Sequence, residues 1–326
     1  MSTTPEYAVG IDLGGTNLKV ALVERDAGIV RQTQRPSGAE RGPGHVLDQI
    51  AQGVRQVAGD DAFAGIGIGA PGAVSLDRTT VVKPPNFPGW DTVHLPDAIR
   101  QRLADLDVAG PILVENDANA AGLGSAFYGA GVPFDSFVMV TLGTGVGGAI
   151  ILDKRLFRGT TGAAGEIGHV SIDYEGPYSR AGVAGAAEAY LGQKFLSRHA
   201  RYQLLARDTH LHQTSGHDLC DVTPQRLHTS AVAGDPAAQE LLAWAGHKLG
   251  VLMGSVVNLL DVRTFVVGGG VSNAGEWLLD PARKALERAV MPSMAEGVQV
   301  VRESRGNDVA LLGAARLVFE HLDDAE

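Results

Sequence analysis

Apolar and polar residues alternate in short runs along the first third of the chain, and glycines separate the runs. Tyr7 to Ile11 and Leu18 to Val23 read as strands, joined by Asp12-Leu13-Gly14-Gly15-Thr16-Asn17 as the turn of a β-hairpin. A third strand is expected near Ile29 to Gln32, then a helix around Val46 to Val57. A strand over Ile66 to Ile68 runs into Gly69-Ala70-Pro71-Gly72. After a Pro-rich loop from Lys83 to Trp90, a helix near Leu95 to Leu103 leads to a buried strand, Ile112 to Val114. That strand ends in Glu115-Asn116-Asp117, and Asp117 opens an Ala-rich helix, Ala118 to Phe127.

From Phe137 the pattern recurs. A strand to Thr141, the turn Leu142-Gly143-Thr144-Gly145-Val146-Gly147-Gly148 and a strand from Ala149 to Leu152 repeat the opening motif, which predicts two related halves. The second half continues through a loop region with Gly165-Glu166-Ile167-Gly168-His169, and then helices across Val183 to Leu196 and Pro236 to Leu260. A strand from Thr264 to Val267 precedes Gly268-Gly269-Gly270, and a helix lies near Trp277 to Ala289. The last helix, Val309 to Glu320, is amphipathic and is expected to pack back on the first half. The apolar run Leu249 to Leu260 is too short for a membrane span and carries Gly254, Ser255 and Asn258, so it reads as a buried core helix.

Both glycine turns are followed by strands rather than by helices, and no Gly-x-x-x-x-Gly-Lys-Ser/Thr sequence is present, which excludes a Walker loop. Glycines free to take positive φ let successive amides form an anion-binding concavity, to which Thr16, Asn17 and Thr144 add donors. Asp12 is placed to hold a hydrated divalent cation beside phosphates. Each turn taken alone is equally a ligand-free hairpin. Two in one chain, both with threonine, favour the phosphate reading.

With 326 residues, 44% hydrophobic and 20% charged, the chain has the composition of a soluble globular protein of two domains. Glycine supplies 43 of the 326 residues, about twice the usual share of roughly 7%, as expected where backbones approach closely. A formal net charge of −10 with no basic run argues against nonspecific nucleic-acid binding. The single Cys220 excludes an internal disulfide and any multi-cysteine zinc site and suits a reducing cytoplasm. Met1 to Glu6 carry no basic or apolar targeting segment. Five histidines between His199 and His228 match no ligand spacing and read as part of a solvated loop.

Asp117, at the end of a strand and the start of a helix, is either a helix cap or a carboxylate that activates a nucleophile. Asn116, Glu166, His169 and Glu188 lie in segments otherwise rich in Gly and Ala. Together with Asp117 they offer the donors and acceptors that a polyhydroxylated ligand needs. His169 alone is as well explained as a structural histidine.

In order, Gly10 to Asn17, Glu115 to Ala120, Leu142 to Gly148, Gly165 to His169 and Val267 to Val271 carry a resemblance that spans nearly the whole chain. The chain resembles the ROK sugar kinases, the bacterial glucokinase-like branch of the hexokinase, actin and Hsp70 superfamily. The resemblance implies an α/β, two-domain actin-like ATPase (ribonuclease H-like) fold with a cleft between the domains. Residues 1–116 plus the C-terminal helix 308–326 would form the small domain and residues 117–307 the large one. It implies an ATP-dependent hexokinase, foremost a glucokinase, that phosphorylates the sugar 6-hydroxyl. Fructose, mannose or an N-acetylhexosamine are alternative acceptors, polyphosphate an alternative donor, and a non-enzymatic sugar sensor or an actin- or Hsp70-like ATPase switch, the latter not fitted by the Asn116, Asp117, Glu166, His169 and Glu188 set, the remaining alternatives. The family's DNA-binding regulators carry an N-terminal helix-turn-helix domain, for which a hairpin starting at Tyr7 leaves no room.

Residue by residue, the resemblance makes Asp117 the base, while Gly72, Asn86, Asn116, Glu166, His169 and Glu188 hold the sugar. It assigns ATP to Asp12, Gly14, Gly15, Thr16, Asn17, Lys19, Gly143, Thr144, Gly145, Gly268, Gly269 and Gly270, with Mg2+ on Asp12 through water. Where the family carries zinc-binding cysteines, this chain has Ser179, Ala181 and Ala186, so no structural zinc is expected. Packing of Tyr174, Tyr178 and Val183 is expected to position Glu188 instead. A cytoplasmic homodimer that binds hexose and ATP, and neither nucleic acid nor membrane, completes the expectation.

Overall fold

The opening strand is buried on both faces, its period-2 pleat sending Val9 and Ile11 to one face of a sheet and Ala8 and Gly10 to the other. The computed structural model describes residues 7–106 and 108–325; Met1 to Glu6, read above for targeting signals, lie outside it. The chain begins with β1 (Tyr7–Leu13), β2 (Asn17–Glu24), β3 (Gly28–Pro36), α1 (Pro43–Ala58) and β4 (Ile66–Ala70). The short strands β5 (Ala73–Val74), β6 (Thr80–Val82) and β7 (Thr92–His94) precede α2 (Leu95–Arg102), β8 (Ile112–Asn116) and α3 (Asp117–Tyr128). Next come β9 (Phe137–Leu142), β10 (Val146–Leu152) and β11 (Arg155–Phe157), then α4 (Glu188–Leu191), α5 (Gln193–Leu204) and α6 (Leu211–Thr214). The chain continues with α7 (Pro224–Val232), α8 (Pro236–Leu260), β12 (Thr264–Gly268), α9 (Glu276–Ala289), β13 (Gln299–Arg302) and α10 (Val309–Asp323).

Two five-stranded sheets share one topology. Their orders are β3-β2-β1-β4-β8 and β11-β10-β9-β12-β13. In the first, β1 pairs antiparallel with β2 and parallel with β4, which pairs parallel with β8. In the second, β12 runs parallel to both β9 and β13. The repeat in sequence is therefore a repeat in topology.

The chain clusters into two compact units, one of Met1–Asp135, Ala149–Gly165 and Asn307–Glu326, the other of Ser136–Gly148 and Glu166–Gly306. These differ from the boundaries expected at 116/117. Helix α3 packs on α10, and the two backbones approach so closely that a Cβ on Gly124 would lie 1.9 Å from Val309 O. That packing puts Asp117–Tyr128 in the first unit.

In that unit, Val9, Ile11, Leu18 and Val20 pack with Val46, Ile50 and Val54 of α1. The other face meets Leu311, Leu312, Ala315 and Phe319 of α10. Gly67 makes the approach of α10 possible, because a Cβ there would lie 1.7 Å from Ala314 O. The second unit is built on the buried strands β9 and β12 and the long helix α8, which Asp235 caps through the amides of Ala237 and Ala238. Among the described residues no helix is long and apolar enough to cross a membrane.

Two local expectations differ from the structure. Residues 183–187 are not helical, and the helix expected through Leu196 is broken at Gly192, whose ψ of 139° interrupts the ladder between α4 and α5. The histidine-rich stretch is not a single loop but holds the second half of α5, all of α6 and part of α7, with His199 stacked on Trp244 at 3.9 Å.

Candidate functional site

The first unit gathers its chemistry at the C-terminal ends of β1, β4 and β8, where a parallel sheet presents ligand-binding residues. The register sets Asp12 beside Gly69, Gly69 beside Glu115, and Ala70 beside Asn116. Asp117 is the first residue of α3, and Asn116, not Asp117, is its cap: Asn116 Oδ1 accepts from Ala118 N at 2.9 Å and Asn119 N at 3.2 Å. Asp117 Oδ1 accepts from the same Ala118 N at 2.8 Å, so its carboxylate stands at the helix N-terminus and shares that amide with Asn116. Asn116 Nδ2 donates to Gly72 O at 3.3 Å, which ties the Gly72 turn (φ 95°) to the same edge. Asn86 adopts a left-handed φ of 67°, on a loop anchored by the buried Phe87–Trp90 ring pair. A Cβ on Gly15 would lie 3.0 Å from that of Asn86, so a sugar candidate abuts the first glycine turn.

Beneath Asp117 lies Glu115, fully buried. Its Oε1 accepts from Asn116 N and from Asn119 Nδ2, both at 3.0 Å. Its Oε2 pairs with Arg78 Nε at 3.2 Å and Arg158 Nε at 2.7 Å, the second an ion pair rather than an aligned hydrogen bond. Burial pushes the Asp12 carboxyl above its ordinary value; Lys19 opposes the shift and Asp308 adds to it. Asp12 is partly buried at the end of β1, where a carboxylate gains by having a cation such as a hydrated Mg2+ beside it. Lys19 Nζ pairs with Asp308 Oδ1 at 3.0 Å.

In the second unit the ends of β9 and β12 lie side by side, Thr141 paired with Gly268. A Cβ on Gly269 (φ 83°) would sit 2.4 Å from Leu142 O, so the Gly268–Gly270 loop is seated against the start of the second glycine turn. Beyond it a cavity of about 580 Å³ is lined by Gln193, Gln225, His228, Gly270, Asn273 and Arg302, among others. His228 Nδ1 is buried without a hydrogen-bond partner.

Glu166 and His169 flank a 3₁₀ turn, Ile167–His169, with Nε2 of His169 3.8 Å from Glu166 Oε2 and its Nδ1 buried without a partner. Gly168 seats this turn, since a Cβ would lie 2.0 Å from Val146 O. Glu188 Oε2 accepts from Val146 N at 3.3 Å. Glu166, His169 and Glu188 are thus collected around the first residue of β10.

The positive φ expected of the turn glycines is not what four of them supply. Gly14, Gly15, Gly143 and Gly145 do not take positive φ. Three of them are sites of close approach: a Cβ would lie 2.7 Å from Asn17 O at Gly14, 3.0 Å from Asn86 Cβ at Gly15 and 2.3 Å from Glu188 Oε2 at Gly145. Thr16, Asn17 and Thr144 are exposed at the tips. Tyr174 and Tyr178, expected to position Glu188, are 84% and 70% exposed and pack on nothing that could do so. Sequence reasoning also passed over Glu115, Asp308 and His228. Only Glu115 carried a signal, since its neighbours in the motif had already been singled out.

The ROK family profile matches residues 8–321. The chain belongs to the ROK family. The Streptomyces coelicolor glucokinase is 34% identical over 322 residues, 96% of this chain and 97% of that one. The Thermotoga maritima glucokinase is 31% identical over 314 residues, 96% and 98% of the two chains. A ROK family glucokinase from Streptomyces griseus, solved with glucose and AMPPNP, superposes with a TM-score of 0.83 at 31% identity and covers 96% of this chain and 99% of that one. This ROK chain has the actin-like ATPase fold. It departs from the zinc-bearing pattern of the resemblance: Ser179, Ala181 and Ala186 supply no thiolate, and no group of three His, Cys, Asp or Glu side chains able to hold a metal occurs among the described residues. The residues present do not fit a structural zinc.

Proposed function

We infer that this ROK protein is an ATP-dependent hexose kinase whose acceptor is glucose, giving glucose 6-phosphate and ADP. The observation that carries the reading is whole-length similarity to glucokinases at 31–34% identity, in a chain that sets the Asp117 carboxylate at the junction of β8 and α3. Asp117 is the base. Its carboxylate takes the proton of the 6-hydroxyl as that oxygen forms a bond to the γ-phosphorus of ATP and the bond from the γ-phosphorus to the bridging oxygen breaks.

In this reading Gly72, Asn86 and Asn116, with Glu166, His169 and Glu188, hold the sugar. The amides of the two glycine turns cradle the phosphates, and the cavity at Gly270 takes the nucleoside. Lys19 neutralises phosphate charge. Mg2+ accompanies ATP, held through water by Asp12, and supplies charge neutralisation when bound. A cytoplasmic homodimer belongs to the same reading, supported by the resemblance to the family.

A coupled assay with Mg-ATP across glucose, mannose, fructose, N-acetylglucosamine and N-acetylmannosamine tests it. The reading expects the highest kcat/KM with glucose. Turnover on an N-acetylhexosamine with none on glucose would replace the acceptor, and no sugar-dependent ADP release at all would end the kinase reading.

A further inference from the structure

Between His169 and Glu188 the chain folds back on itself without regular structure. Ser171 bridges to Ala186 and Tyr178 to Ala184. Ile172 N donates to Gly185 O and Gly185 N to Pro177 O, both at 2.9 Å, and a Cβ on Gly185 would lie 1.5 Å from Asp173 O. The loop is tight in itself, yet its large side chains, Tyr174 and Tyr178, face away from the protein. No thiolate stands at 179, 181 or 186 for a zinc ion to fasten it.

What fastens it is a polar and aromatic cluster at its base. Tyr190 Oη donates to Asp173 Oδ2 at 2.9 Å. Lys248 Nζ lies 3.7 Å from the same oxygen and 4.4 Å from the centre of the Tyr190 ring, so one ammonium serves both the carboxylate and the π face. The buried Tyr190 ring also meets Trp244 at 5.9 Å. Burial and the neighbouring carboxylate push the Tyr190 hydroxyl up to about 12, so it stays a donor through the neutral range. Tyr190 lies on the single turn α4, two residues after Glu188, and Lys248 comes from the long helix α8.

We propose that Asp173, Tyr190 and Lys248 form a metal-free cross-link that fixes the 171–187 loop on α4 and thereby sets the Glu188 carboxylate for sugar recognition. They are positioning residues, acting through Glu188, and the proposal rests on the reading of Glu188 as a sugar ligand. An α4 free to shift moves Glu188 off Val146 N and loosens the grip on a sugar hydroxyl. The second glycine turn keeps its own bonds, Gly143 N to Gly145 O at 3.0 Å and Gln193 N to Gly143 O at 2.9 Å, and Asp117 makes no part of the cross-link.

The test compares Tyr190→Phe, Lys248→Met and Glu188→Gln with the parent, measuring kcat and the KM for glucose and for Mg-ATP in the full chain. Tyr190→Phe keeps the ring and Lys248→Met keeps the stem, so packing is conserved while the cross-link is cut. Each is expected to raise the glucose KM about tenfold, with kcat within about twofold and the ATP KM unchanged. Lys248→Arg, which restores the cation, returns the glucose KM toward that of the parent. Pretreatment of the parent with the zinc chelator dipicolinate leaves its glucose KM unchanged.

A merely structural role would lower the melting temperature or the active fraction and leave the glucose KM alone, which would overturn the proposal. If Glu188→Gln raises the glucose KM while Tyr190→Phe and Lys248→Met do not, the cross-link fails and the sugar reading stands. If Glu188→Gln has no effect, both fail. A rise in the glucose KM on chelation would show that a metal holds the loop, and would overturn the proposal.

Discussion

Glu115→Ala removes a fully buried carboxylate with four partners: Arg78, Arg158, the Asn116 amide and the Asn119 side chain. The alanine strands two guanidiniums whose side chains are only 21% and 12% exposed, and leaves the buried Asn119 Nδ2 without its acceptor. Breaking a buried pair by deleting one member costs about 3–5 kcal/mol. Arg158 keeps its bonds to Leu76 O at 2.7 Å and Ser75 O at 3.0 Å, which places the loss near the lower end of that range. A loss of about 3 kcal/mol corresponds to a fall of roughly 6–12 °C in Tm for a unit of this size.

Because Asn116 N loses its anchor, the junction that presents Asp117 loosens, and kcat falls more than the glucose KM rises. Thermal melts and urea titrations of the parent, Glu115→Ala and the double variant Glu115→Ala/Arg158→Met measure this. The double variant is less destabilised than the sum of the single changes, because the orphaned guanidinium is gone. A Glu115→Ala protein within about 1 kcal/mol of the parent and with unchanged kcat would refute the reasoning.

Further expectations follow from the close approaches and from one displaced titration. Gly145→Ala places a Cβ 2.3 Å from Glu188 Oε2 and, under the proposed function, raises the glucose KM and the ATP KM together, since the proposed sugar ligand and the second glycine turn meet there; steady-state kinetics with each substrate varied reads this. Gly313→Ala brings a Cβ to 1.7 Å from Ala120 O and lowers stability by about 1–3 kcal/mol or more, measured by urea denaturation. Burial pushes Glu320 from its ordinary 4.5 to about 7, with Arg316 opposing the shift. Between those values the unfolded chain ionises while the folded one holds its proton, so stability falls as pH rises through that window, by an amount on the order of 3 kcal/mol. Glu320→Gln flattens that part of the stability–pH curve.

The hairpins, the repeated topology and the placement of Asn116 and Asp117 at a strand-to-helix junction were legible because period-2 alternation and a helix start are local signals. Which residue caps the helix was not, since adjacent Asn and Asp are both good caps and only backbone geometry decides between them. The turn glycines were located correctly, but the reason for them lies in distant partners: Asn86 for Gly15 and Glu188 for Gly145. No local pattern reveals a close approach between residues so far apart in sequence. The same limit hid Asp308, 289 positions from Lys19, and it misdirected the account of Glu188 toward the loop tyrosines rather than Tyr190 and Lys248. His228 was missed because a histidine among polar residues looks solvated until the helix that carries it is seen to line a cavity.

The central claim is that Asp117 takes the proton of the sugar's 6-hydroxyl in an ATP-dependent transfer. A single-turnover experiment with Mg-ATP and glucose, followed by phosphorus NMR of the product, tests it on the parent and on Asp117→Asn, with glucose binding measured by calorimetry on both. Glucose 6-phosphate is expected from the parent, and a rate reduced by about 10²–10⁴-fold in Asp117→Asn with glucose affinity retained. An Asp117→Asn protein that forms glucose 6-phosphate at the parental rate would contradict it.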